Sequence, residues 1–143
     1  MMLFTQARGL PVITADEASA LGKVSELTID ARTRSIACLR LSGAARECEV
    51  VGWDAVASVG RDAVIVRSRA AVEAGPREAP EHREAVGHRV LTEYGAEHGT
   101  VKDVAFDPVS GRVLTLYTAL GDISGERLVG LGSYAVVVHA DPR

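Results

Sequence analysis

Aromatic side chains are scarce in this chain, with one Trp, three Tyr and two Phe among 143 residues. A core built with so few of them falls mainly to Val, Leu, Ile and Ala, and the β-branched part of that set leans toward strands. Lysine is nearly missing, represented by Lys23 and Lys102 alone, and the net charge is −3. Nucleic-acid affinity rests largely on cationic neutralisation of phosphates, so this balance makes direct nucleic-acid binding by charge an unfavoured expectation. No stretch approaches the ~18 apolar residues of a membrane span. The opening Met1-Met-Leu-Phe-Thr-Gln-Ala-Arg8 lacks a basic segment followed by a long apolar run, so it does not read as a signal peptide. The expectation is a cytoplasmic protein with no membrane partner. Cysteine is limited to Cys38 and Cys48, which fits thiols in a reducing compartment rather than a disulfide framework.

What is present is a duplication. Gly22-Lys-Val-Ser-Glu-Leu-Thr-Ile-Asp30 aligns with Gly99-Thr-Val-Lys-Asp-Val-Ala-Phe-Asp107 at a constant offset of 77, and the register continues to Ile36 over Val113 and Leu39 over Leu116. Upstream, one residue of slippage sets Val12-Ile-Thr14 over Val90-Leu-Thr92. Downstream, at an offset of 72, Gly60 to Val66 aligns with Gly132 to Val138. Three blocks in one order, with gaps only between them, define a repeat. Between the copies lies Glu73-Ala-Gly-Pro-Arg-Glu-Ala-Pro-Glu-His-Arg-Glu84, half of it charged. Such a segment lacks an apolar face to bury and reads as an exposed linker.

Each copy reads as five or six short strands with turns between them. In the second, Arg89–Thr92 is a strand, Tyr94-Gly95 a turn and Gly99–Asp107 the next strand. There Val101 falls out of step with Val104 and Phe106, as a bulge would cause. Asp107-Pro-Val-Ser-Gly111 has turn chemistry: Asp to bond the backbone two residues on, Pro to preset φ, and Gly to take φ > 0. Its counterpart Asp30-Ala-Arg-Thr-Arg34 puts Arg34 where Gly111 stands, at a cost of about 1 kcal/mol if the backbone is left-handed. The stretch Thr14-Ala-Asp-Glu17 has capping-box spacing and predicts one helical turn ending at Gly22. A hairpin centred near Gly43 predicts Cys38 opposite Cys48, and Trp53–Ser58 a short helical turn before the closing strand. The Val-rich closing strands suggest pairing between the copies, or homodimerisation.

Chemistry-bearing constellations are lacking. His82, His88, His98 and His139 show no i, i+4 or Cys/His metal spacing and read as solvated or strand-end histidines. Asp30 and Asp107 open equivalent turns, which explains them without a carboxylate pair. The Gly-rich run Gly121–Gly125 and Gly130-Leu-Gly132 has no strand-to-helix context or Lys-Ser/Thr of a phosphate loop, and reads as a loop and a bulge. Catalytic, cofactor-binding and metal residues are therefore expected to be none. Candidate partner-contact residues are Trp53, Tyr94, Tyr117 and Tyr134, chosen because interfaces enrich Trp, Tyr and Arg. The sequence leaves open whether each is a core or a contact residue.

The pattern Gly-x-Arg-Val-Leu-Thr-x-x-Gly-x-x-x-Gly-x-Val-x-Asp-Val-x-Phe-Asp-Pro-x-x-Gly-Arg-Val from Gly87 to Val113 resembles the PRC-barrel family, which includes the photosynthetic reaction-centre H subunit and a domain of the ribosome-maturation factor. Copy one resembles it more loosely, and Trp53-Asp-Ala-Val looks like the stretch the family places before its last strand. The resemblance implies an all-β fold of two small PRC-type β-barrels in tandem, packed as a pseudo-symmetric pair. Residues 1–70 form repeat 1, 71–85 a linker and 86–143 repeat 2. It also implies docking onto proteins or larger assemblies, with no shared catalytic residues. The expected function is a non-enzymatic adaptor of unidentified partner, with a homodimer as one arrangement. The alternatives are an RNA-processing or ribosome-associated factor and a small-ligand or metal-binding sensor.

Overall fold

The computed structural model of the chain describes residues 1–43, 49–74 and 82–140. It is all-β, with the strands in two sheets. The first half supplies β2 (Pro11–Thr14), β3 (Ala20–Asp30), β4 (Ser35–Ser42), β5 (Val50–Gly52), β6 (Val56–Val59) and β7 (Val64–Val66). The second supplies β8 (Arg89–Thr92), β9 (Glu97–Phe106), β10 (Val113–Thr118), β11 (Gly121–Ser124), β12 (Leu128–Leu131) and β13 (Val136–Val138). Their orders, β5-β4-β3-β2-β7-β6 and β11-β10-β9-β8-β13-β12, are the same order written twice. In each, the closing strand runs parallel beside the first, β7 on β2 and β13 on β8, and all other neighbours are antiparallel.

The repeat extends to single hydrogen bonds. Gly9 N–H reaches Val24 O at 2.8 Å and Val24 N–H reaches Leu10 O at 2.9 Å; Gly87 N–H reaches Val101 O at 2.9 Å and Val101 N–H reaches His88 O at 2.9 Å. The expected bulge is there: Tyr117 faces Asp103 and Thr118 faces Val101, so Lys102 is the extra residue. The turns match as well. Asp30 Oδ1 accepts from Arg32 N–H at 2.9 Å, and Asp107 Oδ1 accepts from Val109 N–H at 2.8 Å. The Val109 and Ser110 amides hold the Asp107 carboxyl below its ordinary value. Of the Trp53–Ser58 stretch expected to be a helical turn, only Trp53–Ala55 is a 3-10 turn; Val56–Ser58 belongs to strand β6, which precedes the closing β7.

Four local expectations are corrected. Thr14–Glu17 forms a tight turn instead of a helical one, because Thr14 bonds Ser19 through both its N–H and its hydroxyl. Cys38 stands opposite Gly52, since β4 pairs with β5 in a register that begins at Arg40–Val50; Cys48 lies outside the described residues. The Gly-rich run after Leu120 is not a loop. It is β11 and β12 joined by a 3-10 turn at Gly125–Arg127, with a bulge at Val129. The closing strands pair with the first strand of their own half, not across to the other.

In the segment expected to be an exposed linker, Glu73 and Ala74 are exposed, whereas His82, Arg83 and Glu84 are half-buried. The segment begins within α2 (Arg69–Ala74), whose Val72 is buried, and at its far end Arg83 pairs with Ile29 and Glu84 forms an ion pair with Arg8. The chain's N-terminus makes the reciprocal move: β1 (Met2–Leu3) pairs with β9, setting Met2 beside Phe106, the counterpart of Ile29. Short α1 (Phe4–Ala7) follows and buries Phe4 completely. Each half therefore lends an arm to the long strand of the other.

The halves meet about a pseudo-two-fold axis. Ser35 bridges Arg112, its own counterpart; Ile36 N–H bonds Gly111 O at 2.8 Å, and Val113 N–H bonds Arg34 O at 2.9 Å. Both pivot residues are left-handed, Arg34 at φ 56° and Gly111 at φ 79°. Three of the six aromatics collect here. Phe4 and Phe106 meet edge to face at 5.5 Å, and Trp53 meets Phe106 at 6.5 Å. A single apolar cluster runs through both halves. Full burial of a side chain such as Phe4 is worth about 1.5–3 kcal/mol.

Side-chain size is exchanged across the axis. The Trp53 ring occupies the space a side chain on Gly111 would need, since a Cβ there would lie 2.7 Å from Trp53 Cε2. The counterparts invert the sizes. Arg34 stands at the Gly111 position and Gly125 at the Trp53 position, where a Cβ would overlap the Val113 carbonyl. Arg34 Nε donates to Leu128 O at 2.9 Å, close to the Gly125 turn. Gly111→Ala combines a left-handed backbone with a clash against Trp53. It is expected to destabilise the protein by about 2 kcal/mol or more, measured by urea unfolding. A change under about 0.5 kcal/mol, the range of neutral surface substitutions, would show that the Trp53 contact is soft.

Candidate functional site

The two halves share one fold but not one surface. Among the described residues the large hydrophobics left exposed are Met1, Tyr94, Val109, Leu114, Leu120, Val129 and Tyr134. All but Met1 belong to the second half. Scattered exposed apolar residues are ordinary; their confinement to one of two equivalent sheets is not explained by the fold, which the halves share.

Strand direction places these residues. β8 runs from Arg89 to Thr92, and β13 runs beside it from Val136 to Val138. Tyr94 therefore sits in the β8–β9 turn at one end of the sheet, 84 % exposed, and Tyr134 in the β12–β13 turn at the other, 71 % exposed. Leu120, in the β10–β11 turn, shares the Tyr94 end, and Val109, in the β9–β10 turn, shares the Tyr134 end. Tyr117 is half-buried on β10, opposite Asp103 and Asp122. Trp53 is half-buried in the junction between the halves, against Gly111 and Phe106. The four candidates chosen from sequence are thus dispersed: two at opposite ends of one sheet, one on its face and one at the junction between the halves.

Each exposed tyrosine has polar company. At one end Glu93 receives His139 Nδ1 at 3.0 Å and the Ala140 N–H at 3.1 Å, while Arg127 Nε donates to His139 O at 2.9 Å. The His139 bond, then the Ala140 amide, holds the Glu93 carboxyl below its ordinary value. At the other end the Arg89 guanidinium lies 5.3 Å from the Tyr134 ring centroid and donates to the Tyr134 hydroxyl at 3.2 Å. A cleft of about 520 Å³ opens beside this pair, lined by Val86, Gly87, His88, Arg89, Thr100, Ser133 and Tyr134. Sequence reasoning set His88 aside as a solvated or strand-end histidine and did not single out Arg89. The signal was present: aligning the halves sets His88 and Arg89 over Leu10 and Pro11, and Tyr134 over Asp62.

A sequence profile of the PRC-barrel domain matches residues 1–73. The chain belongs to the PRC-barrel domain family. No curated protein matches the chain. The profile covers the first half, whereas the residue pattern quoted from sequence was densest in the second. The second half repeats the strand order of the matched PRC-barrel half strand for strand. PRC-barrel domains are a non-enzymatic family that serves as a general module. In this PRC-barrel chain no group of three or more metal-ligating side chains meets among the described residues. None of its described helices is long and apolar enough to cross a membrane.

The Glu93 contacts make the tail's anchorage pH-dependent. A carboxyl with a depressed folded pKa contributes stability above its unfolded value, here 4.5, and loses it as pH falls through the folded value. Glu93→Gln is therefore expected to melt below wild type at pH 7, with the gap closing as pH drops below about 4. Melting curves recorded from pH 7 to pH 3 check this, and a gap that persists unchanged at pH 3 would count against it.

Proposed function

We propose that the chain is a non-catalytic, cytoplasmic interaction module that docks onto a partner protein through its second half. The observation that carries this reading is the uneven surface. Two halves with one strand order bury their apolar residues unequally, and the excess exposure falls on the second. Exposed apolar side chains near polar ones are what an interface presents. Tyr94 and Tyr134 are the proposed anchors. Both carry large rings, and interface energy concentrates in a few Tyr, Trp and Arg side chains. Trp53 and Tyr117 contribute less direct contact on this reading, because both are half-buried.

The first half and the junction then act as a scaffold. Pairing of residues 2–3 with β9 and of Arg83 with Ile29 holds the halves in one orientation. A rigid frame lowers the ordering cost of binding. A second copy of the chain is the simplest partner, and sedimentation separates that case from a different protein.

Affinity capture from the source lysate tests the proposal. Tyr94→Ala and Tyr134→Ala are expected to weaken capture of a specific partner, or self-association, by about 30-fold each if they are anchors worth ~2 kcal/mol. Asp62→Ala, at the position equivalent to Tyr134 in the first half, is expected to leave capture unchanged. Equal capture by all three variants, each retaining a native circular dichroism spectrum, would overturn the assignment.

A further inference from the structure

We propose that the cleft between the start of β8 and the β12–β13 turn binds a small oxyanion, a carboxylate or phosphate group, with Arg89 as its principal donor. The cleft's size of about 520 Å³ lies within the range of small-ligand pockets. Its chemistry is one-sided. Arg89, His88, Thr100, Ser133 and Tyr134 line it together with Val86 and Gly87, and no carboxylate does.

Arg89 is the key group because its charge is not matched. Among the described residues it forms no ion pair, and its one side-chain hydrogen bond goes to the Tyr134 hydroxyl at 3.2 Å. A guanidinium has five N–H donors in a planar fork suited to bidentate capture of carboxylate or phosphate. The Tyr134 ring, 5.3 Å away, holds the guanidinium at the cleft wall. The hydroxyls of Ser133 and Thr100 are donors of the kind an anion's remaining lone pairs take. His88 adds a second observation. Its Nδ1 is buried and has no hydrogen-bond partner among the described residues, an arrangement that costs about 1–3 kcal/mol unless something satisfies it.

The duplication provides an internal control. At the equivalent places the first half has Leu10 for His88, Pro11 for Arg89, Lys23 for Thr100 and Asp62 for Tyr134. It thus lacks the fork and carries an acid where the cleft has a tyrosine. Since both halves have the same strand order, the fold does not require His88 and Arg89, and these polar residues mark a property of the second half alone. This inference stands apart from the docking proposal, since a small anion in the cleft does not require a protein partner.

The test is a titration of the full-length protein, followed by amide and side-chain NMR, with inorganic phosphate in one arm and succinate in the other. Ionic strength is held constant with chloride. Saturable shifts at His88, Arg89 and Ser133 are expected in at least one arm, and the stronger arm identifies the group as phosphate or carboxylate. Loss of the charge-assisted donor in Arg89→Gln is expected to weaken binding about tenfold or more, whereas Arg61→Gln in the first half leaves it unchanged. The native spectrum of each variant separates lost binding from lost folding. Absence of saturable shifts in both arms, or equal weakening by Arg61→Gln, would overturn the proposal.

Discussion

Two backbone hydrogen bonds, each the image of the other, fix how this molecule is assembled. Ile36 N–H reaches the Gly111 carbonyl and Val113 N–H reaches the Arg34 carbonyl, with Ser35 and Arg112 face to face between them. They form because each long hairpin ends in a five-residue turn closed by a left-handed residue. That conformation turns the carbonyl of residue 34 or 111 outward toward the opposite turn. Once the turns are joined, the long strands lie close enough to accept each other's N-terminal arm, and Phe4 and Phe106 meet. A half of about 60–70 residues is marginal alone. Joined in this way, the two share one continuous core.

The same junction shows why the halves are no longer interchangeable. In a symmetric pair, equivalent positions would carry equal side chains on both sides. Here Trp53 fills the space over Gly111, while Arg34 reaches across to Leu128 near Gly125. Large faces small on one side, and small faces large on the other. Pairing two first halves would set Trp53 against Arg34 twice, and pairing two second halves would set Gly125 against Gly111 twice. The first arrangement is overpacked and the second leaves voids, so size complementarity favours the mixed pair.

Divergence of the interface was accompanied by divergence of the surface. Among its described residues the first half keeps its large apolar side chains covered, Met1 excepted. The second exposes Tyr94, Leu120, Val109 and Tyr134 at its turns, and opens a cleft beside Arg89. The difference in exposure between the two copies therefore falls largely at their turns. Turns tolerate such change because their backbone groups face solvent and few core contacts depend on them.

The residues themselves determined the repeat, the β class, the bulge at Lys102, the paired Asp turns and the left-handed residue closing each. All of these follow from local rules: the period of apolar residues, the side chain that can bond a turn, and the backbone angle a residue accepts. The register of β4 against β5, which places Cys38 beside Gly52, depends on strand partners distant in sequence, and a count from Gly43 misplaced it. The strands hidden in the Gly-rich run after Leu120 escaped for a similar reason. Their pairing comes from β10 and β13, and their own composition resembles a loop. The fates of Trp53, Tyr94 and Tyr134 were decided only by the assembled molecule. One aromatic was half-buried at the junction and two were left in solvent because burial depends on what the opposite half brings to each position, a property no single residue carries.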